Sequence, residues 1–281
     1  MSEVPKDMSA CGQREAGPTA KGPGDAPGDV PDAKRRFSGR VENYVKYRPG
    51  YPPAVLDNLR ESVGLTPQWV VADVGSGTGI SSELFLKHGN EVYGVEPNAE
   101  MRRAAERLLA GYPRFHSIDG SAEHTTLADQ SVDLVAAGQA FHWFDPAAAR
   151  REFGRILRPG RPVVLMWNTR HVGGTPFLET YERLLLEYGT DYQKVRHEGV
   201  TDERLREFFG RPPQASSFPN RQQFDYAGIE GRLLSSSYAP APGRPGHTDM
   251  LRELRRIFDA FNSDGRVTIL YDTQVYVGAM A

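Results

Sequence analysis

Cysteine and long apolar runs are scarce in this 281-residue sequence. The one cysteine, Cys11, excludes an internal disulfide framework and a cysteine-rich zinc site, and no metal is predicted. No apolar run approaches the roughly 18 residues of a membrane span. Residues 1–7 lack the apolar core of a signal peptide. These features predict a cytoplasmic protein with no membrane partner.

An excess of basic residues is also lacking. Lysine and arginine number 34 against 36 aspartate and glutamate residues, which gives a formal net charge of −2. A protein that binds a nucleic-acid backbone usually carries a basic excess, because it must neutralise phosphates. The composition therefore predicts no nucleic-acid partner. The short run Lys34, Arg35, Arg36 is open to two interpretations, a solvated junction or a nucleic-acid or targeting patch.

Apolar side chains are too few in residues 1–33 to form a core. This segment has prolines at 5, 18, 23, 27 and 31, and its only branched aliphatic residues are Val4 and Val30. Such a segment cannot offset its ordering entropy. We predict a disordered tail over 1–33, N-terminal cap helices over 34–68, a ligand-binding core over 69–169, and a helical lid with the last strands over 170–281.

Elsewhere the sequence has enough apolar residues, 39%, for a sizeable core. Short apolar runs alternate with amphipathic stretches, a pattern typical of parallel strands joined by helices that cover both faces of the sheet. The predicted strands are 70–74, 91–95, 132–136, 162–167, a polar edge strand at 216–225, and 267–277. The predicted helices start after Asn98 and at Asp145, and later ones cover 176–188, 201–209 and 248–262.

A glycine-rich turn follows the first strand, in the sequence Asp73-Val-Gly75-Ser76-Gly77-Thr78-Gly79. Three glycines between a buried strand and a helix allow a ligand to lie against bare backbone. A dinucleotide fingerprint requires a glycine at the sixth place, which is Ile80 here, and a P-loop lysine is absent. The motif therefore predicts a ligand-binding turn that is neither a dinucleotide fingerprint nor a P-loop; the alternative is a glycine-rich turn with no ligand.

Glu96 ends the second strand, beside this turn. A carboxylate at this place can accept hydrogen bonds from both hydroxyls of a ribose. The alternative is a favourable charge at a helix N-terminus, because Pro97 and Asn98 follow.

Six short motifs in chain order extend the pattern. They are DVGSGTG at 73–79, GVEPN at 94–98, GSAE at 120–123, DLV at 133–135, QAFHWF at 139–144 and LRPG at 157–160. With them the sequence resembles the class I S-adenosylmethionine-dependent methyltransferases, in particular the small-molecule group that includes trans-aconitate methyltransferase-like proteins. The resemblance extends over residues 38–168 and is loose beyond them.

The resemblance implies an α/β fold, a Rossmann-like seven-stranded sheet with helices on both faces and a helical lid insertion. It also implies S-adenosyl-L-methionine as cofactor and methyl transfer to a small molecule, with oxygen the preferred acceptor atom. The implied cofactor residues are Gly75, Ser76, Gly77, Thr78 and Gly79 for the methionine part, Glu96 for the ribose, Ser121, Ala122 and Glu123 for the adenine, and Gln139 near the amino group. Asp73 and Pro97 are further implied cofactor residues. Many relatives have an aspartate where this sequence has Ser121.

Aromatic residues and a histidine follow the fourth strand, where the reacting methyl group would point. His142 is the candidate catalytic residue, either as a general base or as a neutral wall of the pocket. Trp143, Trp167 and Arg170 are the candidate acceptor-binding residues, although the aromatic side chains could also be core. Tyr44 and Arg48, in an aromatic and prolyl segment before the sheet, are candidates for the cofactor carboxylate, which a guanidinium binds bidentately; surface packing is their alternative.

Two other functions remain open from the sequence. One is a nucleotide-dependent oxidoreductase on a related sheet, which Ile80 disfavours. The other is a non-catalytic cofactor-binding protein, which would keep the glycine turn and Glu96 but show no turnover. The sequence predicts neither the acceptor nor the oligomeric state.

Overall fold

The computed structural model describes residues 47–192 and 201–280. The predicted tail at 1–33, Tyr44 and the first part of the predicted cap segment therefore lie outside the described residues. Their predicted organisation stays a prediction.

A seven-stranded sheet forms the centre of the described chain, in the strand order β3-β2-β1-β4-β5-β7-β6. The strands are β1 (Val70–Val74), β2 (Glu91–Val95), β3 (Phe115–Ile118), β4 (Leu134–Gly138), β5 (Pro162–Arg170), β6 (Gln214–Phe224) and β7 (Val267–Ala279). The first five strands pair in parallel, and β7 is antiparallel to both β5 and β6. The predicted Rossmann-like α/β sheet is thus confirmed.

Eight α-helices lie in the described residues. They are α1 (Ala54–Val63), α2 (Ile80–His88), α3 (Ala99–Leu108), α4 (Pro146–Ile156), α5 (Pro176–Tyr188), α6 (Asp202–Phe209), α7 (Tyr226–Leu234) and α8 (His247–Phe261). Asn98 begins α3 as predicted, since its side chain accepts from the backbone N–H groups of Glu100 and Met101. Asp145 caps α4 in the same way, and Pro146 occupies the first turn. None of these helices is long and apolar enough for a membrane span.

Both faces of the sheet are covered. On one face, α4 and α6 pack through Phe153 and Phe208 against Phe141. On the other face, α1 and α2 cover the first strands, and α5, α7 and α8 cover the far ends of β5 and β7. Strand alternation places Asn168, Arg170, Tyr271 and Thr273 on this second face. We call the cluster formed by α5, α7, α8 and the first residues of β7 the lid.

The helical lid predicted within residues 170–281 needs one correction. Helix α6 packs on the opposite face, because Leu205, Phe208 and Phe209 are buried against the Phe141 cluster and not against α5, α7 and α8. The strand predicted at 132–136 also lies two residues later, at Leu134–Gly138. Val132 forms only an isolated bridge to Leu157.

Candidate functional site

The carboxyl ends of β1, β2 and β4 meet at one edge of the sheet, and the glycine turn lies there. The backbone N–H groups of Gly75 and Ser76 donate to the carbonyl of Val95, at 2.8 and 3.1 Å, and so join the turn to the end of β2. Gly75, Gly77 and Gly79 have φ angles of +69°, +57° and +88°. Side chains other than glycine rarely adopt this left-handed conformation, so the turn depends on the three glycines.

The glycines of this turn differ in what surrounds them. A Cβ atom at Gly75 would lie 2.6 Å from the Cβ of Ala140, so this glycine allows close packing. No atom of residues 47–192 or 201–280 lies within 4 Å of a Cβ placed at Gly77. The bare backbone at Gly77 is therefore the part of the turn that is open to a ligand.

Glu96 lies directly against Gly77. Its Oε2 accepts from the Gly77 N–H at 3.0 Å and its Oε1 accepts from the Asn98 N–H at 2.8 Å. Burial raises the pKa of Glu96, although these hydrogen bonds favour its ionised form. Each carboxylate oxygen has a second lone pair, so Glu96 keeps capacity for two further donors. Asn98, not Glu96, provides the side-chain cap of α3.

Asp73 is fully buried beneath the turn. Its Oδ2 accepts from the hydroxyls of Ser81 and Ser82 at 2.7 and 2.6 Å. Its Oδ1 has no hydrogen-bond partner among the described residues, and the same holds for the buried hydroxyl of Thr78. Burial raises the pKa of Asp73 to about 6 despite the serine hydrogen bonds. Buried acceptors are normally hydrogen-bonded, so the Oδ1 atom is expected to receive a donor from a bound water or a ligand.

The segment predicted to border the adenine is a tight turn. Ser121 and His124 exchange backbone hydrogen bonds, and Ala122 is buried. The Oε1 atom of Glu123 accepts from the Asp145 N–H at 3.0 Å, so its carboxylate is tied to the start of α4. This contact gives Glu123 a structural role that the sequence did not indicate.

Gln139 follows β4 with a left-handed φ of +56°. Its side-chain oxygen accepts from the Asn168 N–H at 3.2 Å, and the Asn168 amide in turn donates to the carbonyl of Gly50 at 3.2 Å. A Cβ atom at Gly138 would lie 2.5 Å from the Tyr51 hydroxyl. The segment around Gly50 and Tyr51 therefore covers the end of β4, and the Gln139 amide helps hold it there.

His142 lies in a 3-10 turn, Phe141–Trp143, between β4 and α4. Burial and, as the smaller cause, the positive charge of Arg204 together lower the pKa of His142 to about 4. Arg204 reaches this turn from α6 and donates to the carbonyl of Phe144 at 3.2 Å. The described residues include no hydrogen-bond partner for His142, and its ring centroid lies 4.8 Å from that of Trp143.

The candidate acceptor residues occupy different surroundings. Trp143 is 39% exposed, whereas Trp167 is partly buried and lies edge-on to Phe141 at 6.3 Å. The Arg170 guanidinium forms an ion pair with Glu182 in the lid. Arg48, the candidate for the cofactor carboxylate, donates from Nη2 to the carbonyl of Ser235 at 3.2 Å.

Several residues of the site were not predicted from the sequence. Ser81 and Ser82 lie in the first turn of α2, directly after the glycine turn, and this position is the signal that could have assigned them to Asp73. Asn168 joins segments that are 118 residues apart in the chain, so no local pattern indicates it. Arg204 is one of several arginines in a polar helix, and only packing distinguishes it.

Comparisons with known proteins agree with this geometry. Residues 72–165 match the methyltransferase domain family. An uncharacterised methyltransferase of Mycobacterium tuberculosis is 39% identical over 139 residues, which cover 50% of this chain and 54% of that protein. An uncharacterised methyltransferase of Schizosaccharomyces pombe is 32% identical over 152 residues, which cover 54% of this chain and 59% of that protein. The chain thus spans little more than half the length of these relatives.

Two solved structures share the fold. A protein described as a type II methyltransferase from Anaeromyxobacter dehalogenans superposes with a TM-score of 0.61 at 22% identity, covering 83% of this chain and 98% of that one. A protein of Anabaena variabilis, described as a methyltransferase from an antibiotic biosynthesis pathway, gives a TM-score of 0.56 at 20% identity, covering 82% and 98%. At these identities the likeness shows the fold.

Proposed function

The chain contains a class I methyltransferase domain, and from this premise we propose that it transfers the methyl group of S-adenosylmethionine to an oxygen atom of a small acceptor. The observation that carries the proposal is the set of acceptors at the glycine turn. Among the described residues, Asp73 Oδ1 is buried without a donor, and Glu96 keeps two lone-pair positions beside the bare backbone of Gly77.

These residues fit the chemistry of the cofactor. The α-ammonium group of its methionine part is a donor that suits Asp73, and its two ribose hydroxyls are donors that suit Glu96. The cofactor has no phosphate, and the turn at 75–79 has no lysine or arginine. Ser121, Ala122 and Glu123 would border the adenine, and Gln139 and Arg48 would act through the segments they hold.

The cofactor, when bound, supplies a methyl group on a sulfonium sulfur, which keeps the electron pair as a thioether when the carbon bonds to an acceptor oxygen. The protein's part is to bind and orient the acceptor next to that carbon, and orientation is a large share of such catalysis. An ionised carboxylate releases no proton in this reaction, whereas a hydroxyl must lose one.

The low pKa of His142 favours a carboxylate over a hydroxyl as the methyl acceptor. A histidine with a pKa near 4 is neutral at physiological pH but a weak base. It also lacks, among the described residues, a partner that would orient its ring. We therefore assign His142 the role of a neutral wall beside the acceptor, with Trp143 as its aromatic neighbour and Trp167 packed against Phe141 of the same turn.

The near-neutral charge of the chain supports a small molecule rather than a nucleic acid as partner. We extend the proposal to the organisation of the chain, with residues 69–169 as the cofactor-binding core and 170–281 as lid and last strands. The curated relatives are matched over only part of their length, so activity in the whole protein belongs to the proposal.

Calorimetry with S-adenosylhomocysteine and with NADH, side by side, tests this function. We expect saturable binding of S-adenosylhomocysteine and none of NADH. Incubation with methyl-labelled cofactor and a panel of small carboxylic acids and alcohols then tests turnover. Preferential binding of NADH would favour the oxidoreductase alternative. Binding of S-adenosylhomocysteine without transfer to any panel member would favour a non-catalytic binding protein.

A further inference from the structure

Two arginines with little solvent exposure have their partners in the lid, and these partners differ. Arg170 on β5 forms an ion pair with Glu182 of α5. Arg232 on α7 is only 6% exposed. It donates from Nε to the Tyr271 hydroxyl at 3.4 Å and from Nη1 to the Ser236 hydroxyl at 3.2 Å. One buried cation therefore has a carboxylate, and the other has neutral oxygens.

No carboxylate within residues 47–192 and 201–280 forms an ion pair with Arg232. Burial acts to lower the pKa of Arg232, and the phenols of Tyr271, Tyr238 and Tyr181 raise it above its ordinary value. Neutral phenols stabilise a guanidinium only in part, because they carry no opposite charge. A buried charge without a counter-charge destabilises the folded state, so its presence calls for an anion from outside the described chain.

Arg232 lies close to the segment that covers the end of β4. Tyr271, which accepts from Arg232, donates to the Gln222 side chain at 2.9 Å, and Gln222 donates to the carbonyl of Tyr47 at 3.3 Å. The ring of Tyr47 also lies against Gly231, the residue before Arg232. One chain of contacts thus joins Arg232 to residues 47–51, which extend over Gly138 and Asn168.

Arg232 shares a face of the sheet with this crevice. Tyr271 is on the same face of β7 as Thr273, whose hydroxyl donates to Asn168 at 2.6 Å. Asn168 exchanges hydrogen bonds with Gln139, next to the glycine turn. An acceptor molecule placed between the crevice and the lid would therefore have Arg232 on its lid side.

We propose that Arg232 binds a carboxylate of the methyl acceptor; this inference rests on the proposed function. A planar guanidinium binds a carboxylate with two parallel hydrogen bonds. A phosphate would bring about two negative charges, and the neighbouring buried cation, Arg170, is already neutralised by Glu182. A single carboxylate matches the single uncompensated charge of Arg232.

The carboxylate held by Arg232 serves as an anchor and not as the methylated group. Pairing with a guanidinium withdraws electron density from the oxygens, and methylation would leave Arg232 without a counter-charge again. The acceptor therefore has two groups, an anionic anchor and a second oxygen that receives the methyl group. Dicarboxylic acids and hydroxycarboxylic acids have this composition.

A matched pair of variants tests whether Arg232 is uncompensated. Methionine has a similar volume and no charge, so Arg232→Met should leave the thermal midpoint unchanged or raise it. Arg170→Met should lower the midpoint, because it leaves Glu182 buried without its partner. Equal losses in the two full-length variants would show that Arg232 is a structural residue and would overturn the proposal.

Ligand binding provides the second test, with the full chain saturated by S-adenosylhomocysteine. Succinate and malate should raise the thermal midpoint of the wild type, and succinamide, the neutral match of succinate, should not. Arg232→Met should lose this response to acids, whereas its affinity for S-adenosylhomocysteine should stay within about threefold of wild type. For an acid that the wild type methylates, we expect Arg232→Met to lower kcat/KM about 100-fold. This is the size expected when one partner of a charged pair is lost.

Three results would overturn the inference. They are equal responses of wild type and Arg232→Met to the acids, no response of the wild type to any acid tested, and a parallel loss of S-adenosylhomocysteine binding in the variant. The last would place Arg232 at the cofactor carboxylate. Failure of wild-type protein to bind S-adenosylhomocysteine would instead contradict the proposed function, so the two failures are distinguishable.

Discussion

The Oε2 atom of Glu96 accepts a hydrogen bond from the backbone N–H of Gly77 at 3.0 Å. This contact joins the carboxylate at the end of β2 to the most open glycine of the turn after β1. The acidic residue and the bare backbone, separate motifs in the sequence, therefore form one surface for a ligand.

Replacing Glu96 by alanine should weaken binding of S-adenosylhomocysteine, because two ribose hydroxyls lose charge-assisted acceptors worth roughly 1.5–3 kcal/mol each. Calorimetry measures the loss, which should exceed tenfold in Kd. Glu91→Ala provides the control, since Glu91 is on the same strand but contacts Tyr93 and His116 instead of the turn. Equal affinities of the wild type and a folded Glu96→Ala protein would contradict the ribose assignment.

Alanine variants of Gly77 and Gly160 separate the effect of backbone strain from the effect of a lost ligand contact. Their φ angles are +57° and +76°, and a Cβ at either position meets nothing within 4 Å. Alanine at either site should cost about 1–2 kcal/mol of stability from the left-handed conformation alone. Only Gly77→Ala should also reduce the affinity for S-adenosylhomocysteine. Equal affinities of the two variants by calorimetry would show that no ligand approaches Gly77.

The raised pKa of Asp73 predicts that the stability of the fold depends on pH. Its folded pKa of about 6 exceeds the ordinary 3.8, so the folded state binds the proton more tightly than the unfolded state. Stability is therefore expected to fall as pH rises from about 4 to 6, by roughly 3 kcal/mol from this group. Asp73→Asn should abolish that part of the dependence in urea titrations. An unchanged pH profile in the variant would contradict a buried, titrating Asp73.

The same carboxyl group should couple cofactor binding to pH. An ammonium group near Asp73 favours the carboxylate, so binding near pH 6 should release a proton and affinity should rise between about pH 5 and 7. Calorimetry in two buffers of different ionisation enthalpy measures the released proton. Asp73→Asn should show a smaller release. Equal proton release in the two proteins would place the ammonium group away from Asp73.

Much of the fold could be predicted because the core strands are short, buried aliphatic runs between glycines. Strands at Val70–Val74 and Glu91–Val95 occur where they were predicted. Strand β3 was missed because Phe115–Ile118 is only partly buried at the sheet edge and has no apolar run. Helix α7 was missed because it is nine residues long and contains Gly228 and Gly231; contacts with distant residues, such as the Tyr47 ring, stabilise it.

Site residues that directly follow strands could be predicted from the sequence. Site residues whose position depends on tertiary contacts could not. The turn at Gly75–Gly79 and Glu96 are adjacent because parallel strands end at one edge. Partners of long side chains cannot be inferred in this way. No local pattern indicates that Arg170 pairs with Glu182, or that Arg232 is buried against hydroxyl groups.

The role of His142, general base or neutral wall, distinguishes a hydroxyl acceptor from a carboxylate acceptor. Because the pKa of His142 is near 4, its ring is neutral from about pH 5.5 to 8.5. Titration of His142 should therefore not change the wild-type rate over that range. A flat profile does not separate the roles, since a neutral imidazole could act as a wall or as a base. The size of the effect of His142→Gln does separate them.

A general base contributes about 100- to 10,000-fold, whereas a hydrogen-bonding wall contributes less. We expect His142→Gln to lower kcat by less than tenfold with a carboxylate acceptor, which needs no proton removed. Trp143→Phe is the control for packing in the same turn, since Trp143 contacts the His142 ring at 4.8 Å. A loss above 100-fold in His142→Gln alone would establish the base. Such a loss would identify a hydroxyl as the acceptor, because only that group must give up a proton to reach the methyl carbon.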